Sequence, residues 1–210
     1  MEKNRTYICG AGGHTRSLLS LLNNQSIQIA GIFDETFNPE KEEIINSCEV
    51  IGVLPSSNFI GKIILSYGDN FKRKVLYEKY KSKIVTLNIC HSTSFIEESV
   101  TFGTANFIFA TAVINSNVQI GSNNIINTGA IIEHEVSIGS HNHISVGTII
   151  CGRVEIGDEC FIGAGAVIND KISICSGVTI GSNSVVIKSI SEPGVYVGNP
   201  AYKTGGKQIK

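Results

Sequence analysis

Residues 120–150 read IGSNNIINTGAIIEHEVSIGSHNHISVGTII, and isoleucine stands at every sixth position of this stretch. The spacing continues in both directions, giving sixteen ladder positions with a large apolar residue, fourteen of them isoleucine. These positions are Ile96, Phe102, Ile108, Ile114, Ile120, Ile126, Ile132, Ile138, Ile144, Ile150, Ile156, Ile162, Ile168, Ile174, Ile180 and Val186. Neither a helical period nor strand alternation gives a strict period of six, so the pattern predicts an internal structural repeat.

A hexapeptide repeat is typical of a parallel β-helix, in which three short strands close one coil. Two positions before the ladder, residue types return every eighteen residues, which is one coil. The columns are Val100, Val118, Val136 and Val154; Ala112, Ala130, Thr148 and Ala166; and Asn106, Asn124 and Asn142. Glycines follow the ladder at Gly103, Gly121, Gly139 and Gly157. We expect these glycines in turns with unusual backbone angles, at the corners of a prism filled with isoleucine.

Composition excludes several classes of protein. The chain of 210 residues has a formal net charge of −1, and no basic stripe marks a nucleic-acid surface. Its apolar runs are shorter than the ~20 residues of a membrane span. The amino terminus, MEKNRTYICGAGG, lacks the apolar core of a signal peptide, which indicates a cytoplasmic protein. Six scattered cysteines without a C-x-x-C pair are expected to be buried thiols.

The first 90 residues lack the repeat and follow the plan of a βαβ unit. An apolar strand at residues 6–9 leads into Gly10-Ala11-Gly12-Gly13-His14, a helical pattern of leucines, and a second strand at residues 27–33 that ends at Asp34. Glycines at such a turn let a phosphate approach the backbone, and the helix amino terminus supplies N–H groups. The alternative is a small α/β domain with a merely tight first turn.

The nucleotide fingerprint is incomplete, which narrows the ligand. Thr15 stands where G-x-G-x-x-G has its third glycine, and one βαβ unit is present where a dinucleotide needs two. NAD is therefore disfavoured, and a single nucleotide or a nucleotide sugar is the better prediction. A later strand at residues 63–66 places Asp69 and Asn70 at the carboxyl edge of the sheet, where such ligands bind.

Polar residues that interrupt the repeat are candidates for catalysis. His134 lies between Glu133 and Glu135, and either carboxylate can orient the imidazole of a general base. An exposed turn of charged residues is the plain alternative. His141 and His143 form an H-x-H pair that, together with His134, raises a metal site as a further alternative, although no cysteine or carboxylate has supporting spacing.

Several segments together resemble one family. The hexads, the Glu133-His134-Glu135 segment and the closing Pro193-Gly194-Val195-Tyr196-Val197-Gly198-Asn199-Pro200-Ala201 resemble the bacterial hexapeptide-repeat acyltransferases with a left-handed β-helix. The glycine turn and Phe33-Asp34-Glu35 resemble the subgroup that N-acetylates nucleotide-linked 4-amino-4,6-dideoxy sugars, with relatives named sialic acid O-acetyltransferases. The resemblance implies a Rossmann-like α/β nucleotide-sugar-binding domain at residues 1–90, and a left-handed parallel β-helix acyltransferase domain with a C-terminal tail at residues 91–210.

The resemblance also implies roles for individual residues. His134 takes the position of the general base, and Glu135 that of its orienting carboxylate. The nucleotide sugar is expected at Gly10, Gly12, His14, Asp34, Glu35, Asn70 and, near the sugar amine, Asn127. Acetyl-CoA is expected at His143, Gly152, Gly163, Ala164, Gly181, Ser182 and Lys203, with the N–H of the Cys151-Gly152 turn facing the thioester oxygen.

The expected protein is an acetyl-CoA-dependent N-acetyltransferase of bacterial surface-glycan biosynthesis. The resemblance implies a cytoplasmic homotrimer with active sites between adjacent prisms, and no metal, nucleic-acid or membrane partner is expected. His134 would remove a proton as the sugar amine attacks the thioester directly. Three alternatives stay open: Cys151 as a nucleophile, O-acetylation of a sialic or related acid by the same His–Glu pair, and a non-catalytic hexapeptide scaffold.

Overall fold

A computed structural model of the protein describes residues 5–25, 27–56 and 59–204, and the chain divides into two compact units. One unit contains residues 1–87 and the other contains residues 88–210. The sequence places this boundary slightly later, at residue 91. The difference arises because the first rung of the β-helix carries Cys90, not isoleucine, six positions before Ile96.

The N-terminal unit is a five-stranded sheet with two helices. Its elements are β1 (Thr6–Cys9), α1 (Gly13–Asn24), β2 (Ile29–Phe33), β3 (Ile44–Ile45), β4 (Cys48–Gly52), β5 (Lys62–Leu65) and α2 (Asn70–Lys79). The strand order is β3-β4-β2-β1-β5, parallel throughout except for the antiparallel β3–β4 pair. The predicted βαβ unit is present, and the β3–β4 hairpin is an addition that the sequence analysis did not predict.

The C-terminal unit is a prism of short parallel strands arranged on three faces. Face A contains β7 (Phe95–Ile96), β10 (Val113–Ile114), β13 (Ile131–Ile132), β16 (Ile149–Ile150), β19 (Val167–Ile168) and β22 (Val185–Val186). Face B contains β8 (Thr101–Phe102), β11 (Gln119–Ile120), β14 (Ser137–Ile138), β17 (Glu155–Ile156) and β20 (Ser173–Ile174). Face C contains β6 (Ile89–Cys90), β9 (Phe107–Ile108), β12 (Ile125–Ile126), β15 (His143–Ile144), β18 (Phe161–Ile162), β21 (Val178–Ile180), β23 (Gly194–Val197) and β24 (Tyr202–Lys203).

The isoleucine ladder forms the core of this prism, as predicted. Every ladder residue from Ile108 to Val186 is at most 4% exposed. Successive strands on a face pair in register eighteen residues apart, so Ile114 pairs with Ile132 and Ile132 with Ile150. Burying one isoleucine side chain contributes about 2 kcal/mol. The three columns are therefore the main source of stability in this unit.

A stack of buried asparagines ties neighbouring coils together. The side-chain oxygens of Asn88, Asn106 and Asn124 each accept the backbone N–H of the asparagine one coil further on, at 3.0, 2.9 and 2.8 Å. Asn142 accepts the N–H of Cys160 in the same way at 2.6 Å. Buried polar groups need such partners. The predicted asparagine column therefore joins neighbouring coils by hydrogen bonds. It begins at Asn88, one coil before the predicted start at Asn106.

The reason given for the glycines that follow the ladder was wrong. Gly103, Gly121, Gly139 and Gly157 do not have positive φ. Left-handed φ, between 56° and 74°, recurs instead at every sixth residue from Ala105 to Asn183. Glycine follows the ladder because the next coil lies too close for a side chain. A Cβ atom added at Gly139 would lie 2.9 Å from the backbone carbon and oxygen of Gly157.

Gly139→Ala is therefore expected to lower the free energy of unfolding by about 1–3 kcal/mol, because the new methyl group collides with backbone atoms. Denaturant unfolding followed by circular dichroism measures this change. Ser137→Ala, at an exposed position of the preceding strand β14, is the matched control and should alter stability by less than about 0.5 kcal/mol. Equal stability of Gly139→Ala and the wild type would contradict the close-stacking explanation.

The coil tightens after face A ends at β22. Ile174 pairs with Ile190, and Ile180 with Tyr196, so these partners are sixteen residues apart instead of eighteen. The tail then passes through a cis Asn199–Pro200 peptide bond into β24, which pairs antiparallel with β23. Within the described ranges, no helix is long and apolar enough to cross a membrane.

Candidate active site

Two edges of the prism carry the site residues that the sequence predicts. The chain turns from face A to face B at edge A/B, and from face C to face A at edge C/A. His134, Glu135 and Gly152 lie on edge A/B. Asn127, Gly163, Ala164, Gly181 and Ser182 lie on edge C/A, and His143 lies on the adjoining strand of face C. Both edges border face A, whose width separates the two groups within one chain.

His134 is oriented by Glu135. A hydrogen bond of 3.0 Å joins His134 Nδ1 to Glu135 Oε2. Arg153, eighteen residues after Glu135, places Nη2 at 3.0 Å from the same carboxylate oxygen. The hydrogen bond from His134, together with the Arg153 guanidinium, holds the pKa of Glu135 below its ordinary value. Glu135 is thus ionised at neutral pH. Arg153 was missed, although its spacing of one coil could have indicated it.

The imidazole of His134 lies directly against Gly152. A Cβ atom added at Gly152 would be 2.7 Å from both Nε2 and Cε1 of His134, so glycine is required by this close approach. The backbone N–H of Gly152 has no hydrogen-bond acceptor among the residues that the structure describes. Edge A/B therefore brings together the predicted base, its carboxylate and the predicted oxyanion donor.

Edge C/A is built mainly from small residues. Asn127 Nδ2 lies 3.1 Å from His143 Nε2, and the His143 ring packs edge-to-face on Phe161 with centroids 5.2 Å apart. Further along the edge, a Cβ atom at Gly163 would be 2.7 Å from the backbone carbon of Gly181. Ala164 and Ser182 complete this stretch of the stack. The result is a smooth edge along which an extended ligand chain can lie.

Lys203 is tied into the C-terminal hairpin. Its Nζ lies 2.8 Å from Glu192 Oε2, and this hydrogen bond raises the pKa of Lys203. A Cβ atom at Gly194 would be 2.8 Å from Lys203 Cε, so the lysine stem runs across the preceding strand. A phosphate that binds Lys203 would have to compete with Glu192.

The metal and thiol alternatives gain little from the structure. His141 lies on the third edge, between faces B and C, with Nδ1 2.8 Å from Asn123 Nδ2. Within the described ranges, no group of three His, Cys, Asp or Glu side chains is placed to hold a metal ion. Burial, with the carboxylates of Asp170 and Glu133, raises the pKa of Cys151. A thiolate nucleophile at Cys151 is thus disfavoured at neutral pH.

The N-terminal unit contains a cleft of about 580 Å³ at the carboxyl ends of β1, β2 and β5. It is lined by residues 11–14, 34–36 and 66–69, with Glu43 and Lys72. The predicted residues Gly12, His14, Asp34 and Glu35 are among them. Gly12 is the N-cap of α1 and supplies no side chain, so N–H groups and the positive end of the helix dipole lie at the cleft.

Asp34 and Thr15 shape the glycine turn. Asp34 Oδ2 accepts the N–H of Ala11 at 2.7 Å, and Oδ1 accepts the N–H and hydroxyl of Thr36 at 2.9 and 2.6 Å. Burial works to raise the pKa of Asp34, but the Thr36 hydroxyl and the backbone donors outweigh it and lower the pKa. Thr15 donates its hydroxyl to the carbonyl of Gly10 at 2.7 Å. Thr15, which stands in place of the third glycine of the fingerprint, therefore stabilises the turn.

Asn70 does not line the cleft but contacts a buried arginine. Arg73 is fully buried, and its Nη2 donates to Asn70 Oδ1 at 2.8 Å while Nη1 donates to the carbonyl of Tyr67 at 3.0 Å. Burial lowers the pKa of Arg73 to about 9, which leaves it charged at neutral pH. Arg73 therefore holds the turn between β5 and α2, a role that the sequence pattern did not reveal.

His14 is uncharged at neutral pH. Burial, and then the charge of Arg73, lower the pKa of His14 to about 4. An unfolded histidine has a pKa of about 6.5, so between these values the unfolded chain binds a proton that the folded chain does not. The contribution of uncharged His14 to the free energy of unfolding is therefore complete above pH 6.5 and is lost as the pH falls towards 4.

His14→Gln is expected to remove about 3 kcal/mol of the fall in unfolding free energy between pH 7 and pH 4, because glutamine does not titrate. Urea unfolding of both proteins at several pH values in this window measures the difference in slope. Parallel pH curves for His14→Gln and the wild type would contradict the assignment.

Comparisons with known proteins agree with both halves of this description. Residues 5–80 match the PglD N-terminal domain, and residues 135–170 and 153–188 match the bacterial transferase hexapeptide with its six repeats. The chain carries a PglD N-terminal domain and the hexapeptide repeats of bacterial transferases. This match assigns the left hand of the β-helix coil, as predicted. No curated protein matches this transferase by sequence.

Solved transferases share the fold over nearly the whole chain. A variant of perosamine N-acetyltransferase from Caulobacter crescentus, bound to CoA and GDP-perosamine, is 24% identical to this chain, with a TM-score of 0.88. The match covers 96% of this chain and 97% of that protein's chain. PerB from Caulobacter crescentus, with the same ligands, is 25% identical over 96% and 97% of the two chains, with a TM-score of 0.87. The acetyltransferase domain of PglB from Neisseria gonorrhoeae FA1090, bound to acetyl coenzyme A, is 25% identical over 97% and 100%, with a TM-score of 0.83.

Proposed function

We propose that this transferase moves the acetyl group of acetyl-CoA to the 4-amino group of a nucleotide-activated 4-amino-4,6-dideoxyhexose, in the synthesis of a bacterial surface glycan. One observation carries the proposal: His134, held by Glu135 and lying against Gly152, occurs on a hexapeptide β-helix in the same chain as a PglD N-terminal domain with an open cleft. The ligands named for PerB and PglB, CoA with a nucleotide amino sugar and acetyl-CoA, support this substrate pair. We propose that the reaction takes place in the cytoplasm.

His134 is the proposed general base. Glu135 accepts a hydrogen bond from a protonated Nδ1 of His134, and in this tautomer Nε2 is unprotonated and able to take a proton from the sugar amine. As the amine nitrogen attacks the thioester carbonyl carbon, its proton passes to Nε2. The C–S bond then breaks, and the protonated imidazole returns the proton to the CoA sulfur. The acetyl group passes directly between substrates, which agrees with the raised pKa of Cys151.

Gly152 is the proposed oxyanion donor. Attack on a thioester places negative charge on the carbonyl oxygen, and a fixed backbone N–H aimed at that oxygen is worth roughly 3 kcal/mol. The N–H of Gly152 is suited to this role because it has no acceptor within the described part of the chain and because its residue contacts His134. The base would then act on the attacking amine, and the donor on the carbonyl group that the amine attacks.

The two substrates are assigned to different surfaces. We place the CoA arm along edge C/A, at Gly163, Ala164, Gly181 and Ser182, where backbone stacks on backbone without intervening side chains. His143 and Asn127 would lie near the thioester end of that arm. The nucleotide of the sugar substrate would occupy the cleft of the N-terminal unit, at Gly10, Gly12, His14, Asp34 and Glu35.

The active site needs a second copy of the chain. The base lies on edge A/B, whereas the small-residue edge C/A lies across the full width of face A. Face A also carries an outward column of apolar side chains, namely Phe95, Val113, Ile131, Ile149, Val167 and Val185, of which Phe95 is 56% exposed. The outward residues of face B are polar, namely Thr101, Gln119, Ser137, Glu155 and Ser173. We propose a cyclic homotrimer in which edge A/B of one prism meets edge C/A of the next.

Mixed trimers test this arrangement. His134→Asn removes the base, and Ala164→Trp blocks the small-residue edge, so each variant alone is expected to be inactive. If each site uses two subunits, random mixing of equal amounts restores about a quarter of wild-type activity, because that fraction of sites pairs an intact base with an intact edge. Sedimentation should show one trimeric species in all samples. Absence of any recovery in verified mixed trimers would contradict a shared site.

The choice of acceptor is tested by direct assay. Purified protein is incubated with acetyl-CoA and either a nucleotide 4-amino-4,6-dideoxy sugar or free sialic acid, and released CoA and acetylated product are measured. Acetylation of the amino sugar alone supports the proposal. Acetylation of sialic acid alone would replace it with O-acetylation, and binding of neither CoA nor nucleotide would favour a scaffold.

A further inference from the structure

Two hydroxyl groups at the floor of the N-terminal cleft lack a partner within the described part of the chain. Ser66 is 2% exposed and its Oγ makes no hydrogen bond, and the hydroxyl of Tyr67 is likewise buried without one. Both residues directly follow β5 and line the cleft. Buried hydroxyls without partners are unfavourable and rare in native proteins. A ligand that enters the cleft can supply the missing bonds.

Ser66 and Tyr67 lie beside the glycine turn. A Cβ atom at Gly10 would be 2.8 Å from the carbonyl oxygen of Ser66 and 3.2 Å from Cζ of the Tyr67 ring. Gly10 also has a φ of 110°, which only glycine adopts easily. The turn at the start of α1 therefore packs against Ser66 and Tyr67. When the phosphates of a ligand lie at this turn, the group attached to the phosphates can contact Ser66 and Tyr67.

The charges around the floor favour a neutral group there. Four carboxylates line the cleft, at Asp34, Glu35, Glu43 and Asp69, against the single lysine Lys72. Lys72 lies 4.4 Å over the Tyr67 ring and is neutralised by its ion pair with Glu35. Burial and the charge of Asp34 raise the pKa of Tyr67, so its phenol stays protonated. A phosphate at this depth would be repelled, whereas an uncharged hydrogen-bonding group would not.

We infer that the hydroxyls of Ser66 and Tyr67 bind the nucleoside of the nucleotide sugar, with the diphosphate nearer to the start of α1. The inference rests on the proposed function and adds two residues that determine affinity for the uncharged half of the substrate. A nucleoside offers carbonyl, imide and ribose hydroxyl groups. Each protein hydroxyl can donate to or accept from such groups, so both unpartnered groups are satisfied without burying charge.

Ser66→Ala and Tyr67→Phe test the inference by calorimetry with UDP, GDP, dTDP and inorganic pyrophosphate. For the nucleoside diphosphate that the wild type binds most tightly, each variant is expected to bind about tenfold more weakly. Pyrophosphate and acetyl-CoA affinities should stay within about twofold of wild type, because neither contact involves these hydroxyls. Ser17→Ala, exposed on α1, and Tyr7→Phe, on β1 outside the cleft lining, are matched controls and should bind every ligand as the wild type does.

Thermal unfolding without ligand separates a binding role from a structural one. Each variant removes an unpartnered buried hydroxyl, so its Tm should equal or exceed that of the wild type. Unchanged nucleoside diphosphate affinity in both variants would overturn the inference. An equal loss of pyrophosphate affinity, or a wild type that binds none of the three nucleotides, would also overturn it. Failure of acetyl transfer with nucleotide binding intact would reject the proposed function and leave this inference standing.

Discussion

Replacement of His134 by asparagine is expected to lower kcat by about 10²–10⁴-fold, which is the usual contribution of a positioned general base. Asparagine keeps a polar group of similar reach but cannot accept the proton of the sugar amine. Binding should not change, because the nucleotide cleft and the small-residue edge lie elsewhere. Steady-state kinetics with acetyl-CoA and the nucleotide amino sugar, together with calorimetry for each substrate, give both quantities.

His91→Asn is the matched control for this substitution. His91 lies in the first coil, where its Nδ1 contacts Thr93, and it has no proposed role in the reaction. Its variant should retain wild-type kcat. If His134→Asn also turned over at close to the wild-type rate, the base would have to be sought elsewhere on the prism.

Gly152→Ala is expected to lower kcat by about 10²-fold with little loss of stability. The added methyl group would lie 2.7 Å from Nε2 of His134, so the imidazole must rotate away from its position. A half-exposed side chain moves cheaply, in contrast to the backbone that Gly139→Ala would displace. A displacement of about 1 Å at a reacting group can cost about 10² in rate. Kinetics and denaturant unfolding on the same preparation measure the two effects.

The double variant His134→Asn/Gly152→Ala separates this explanation from a general disturbance. If the methyl group acts through the imidazole, the double variant should be no slower than His134→Asn alone. Its stability should match that of the wild type within about 1 kcal/mol. Rate losses that multiply would show that Gly152 acts independently of His134, mainly through its N–H group.

The β-helix could be predicted because its physical requirement repeats every six residues. Ile114, Ile132 and Ile150 fill equivalent places on one face, so their spacing alone indicates the coil. The first rung escaped notice because Cys90 fills the same place with a smaller side chain. The steric requirement for glycine at Gly139 could not be predicted either, since the sequence does not show how closely one coil approaches the next.

The site was predictable where it follows the repeat and obscure where it depends on long-range contacts. The eighteen-residue period relates His134 to Gly152 and Glu135 to Arg153, but Gly152 was assigned from the resemblance and Arg153 was missed. In the N-terminal unit no period exists. Ser66 meets the glycine turn because β5 pairs with β1. That pairing joins segments more than fifty residues apart, and no local pattern records it.

The asparagine stack bears on how the molecule opens. In a solenoid, stability is close to a sum over neighbouring coils, so unwinding starts at the ends and spreads inward. The side-chain hydrogen bonds of the asparagines from Asn88 to Asn142 join consecutive coils, and the last of these bonds reaches Cys160. His134 lies within this segment, whereas the coils beyond Cys160 are joined by backbone hydrogen bonds and packing without such an asparagine column. Fraying at the C-terminal end can therefore proceed without disturbing the histidine, and the reaction centre belongs to the last cooperative block to melt.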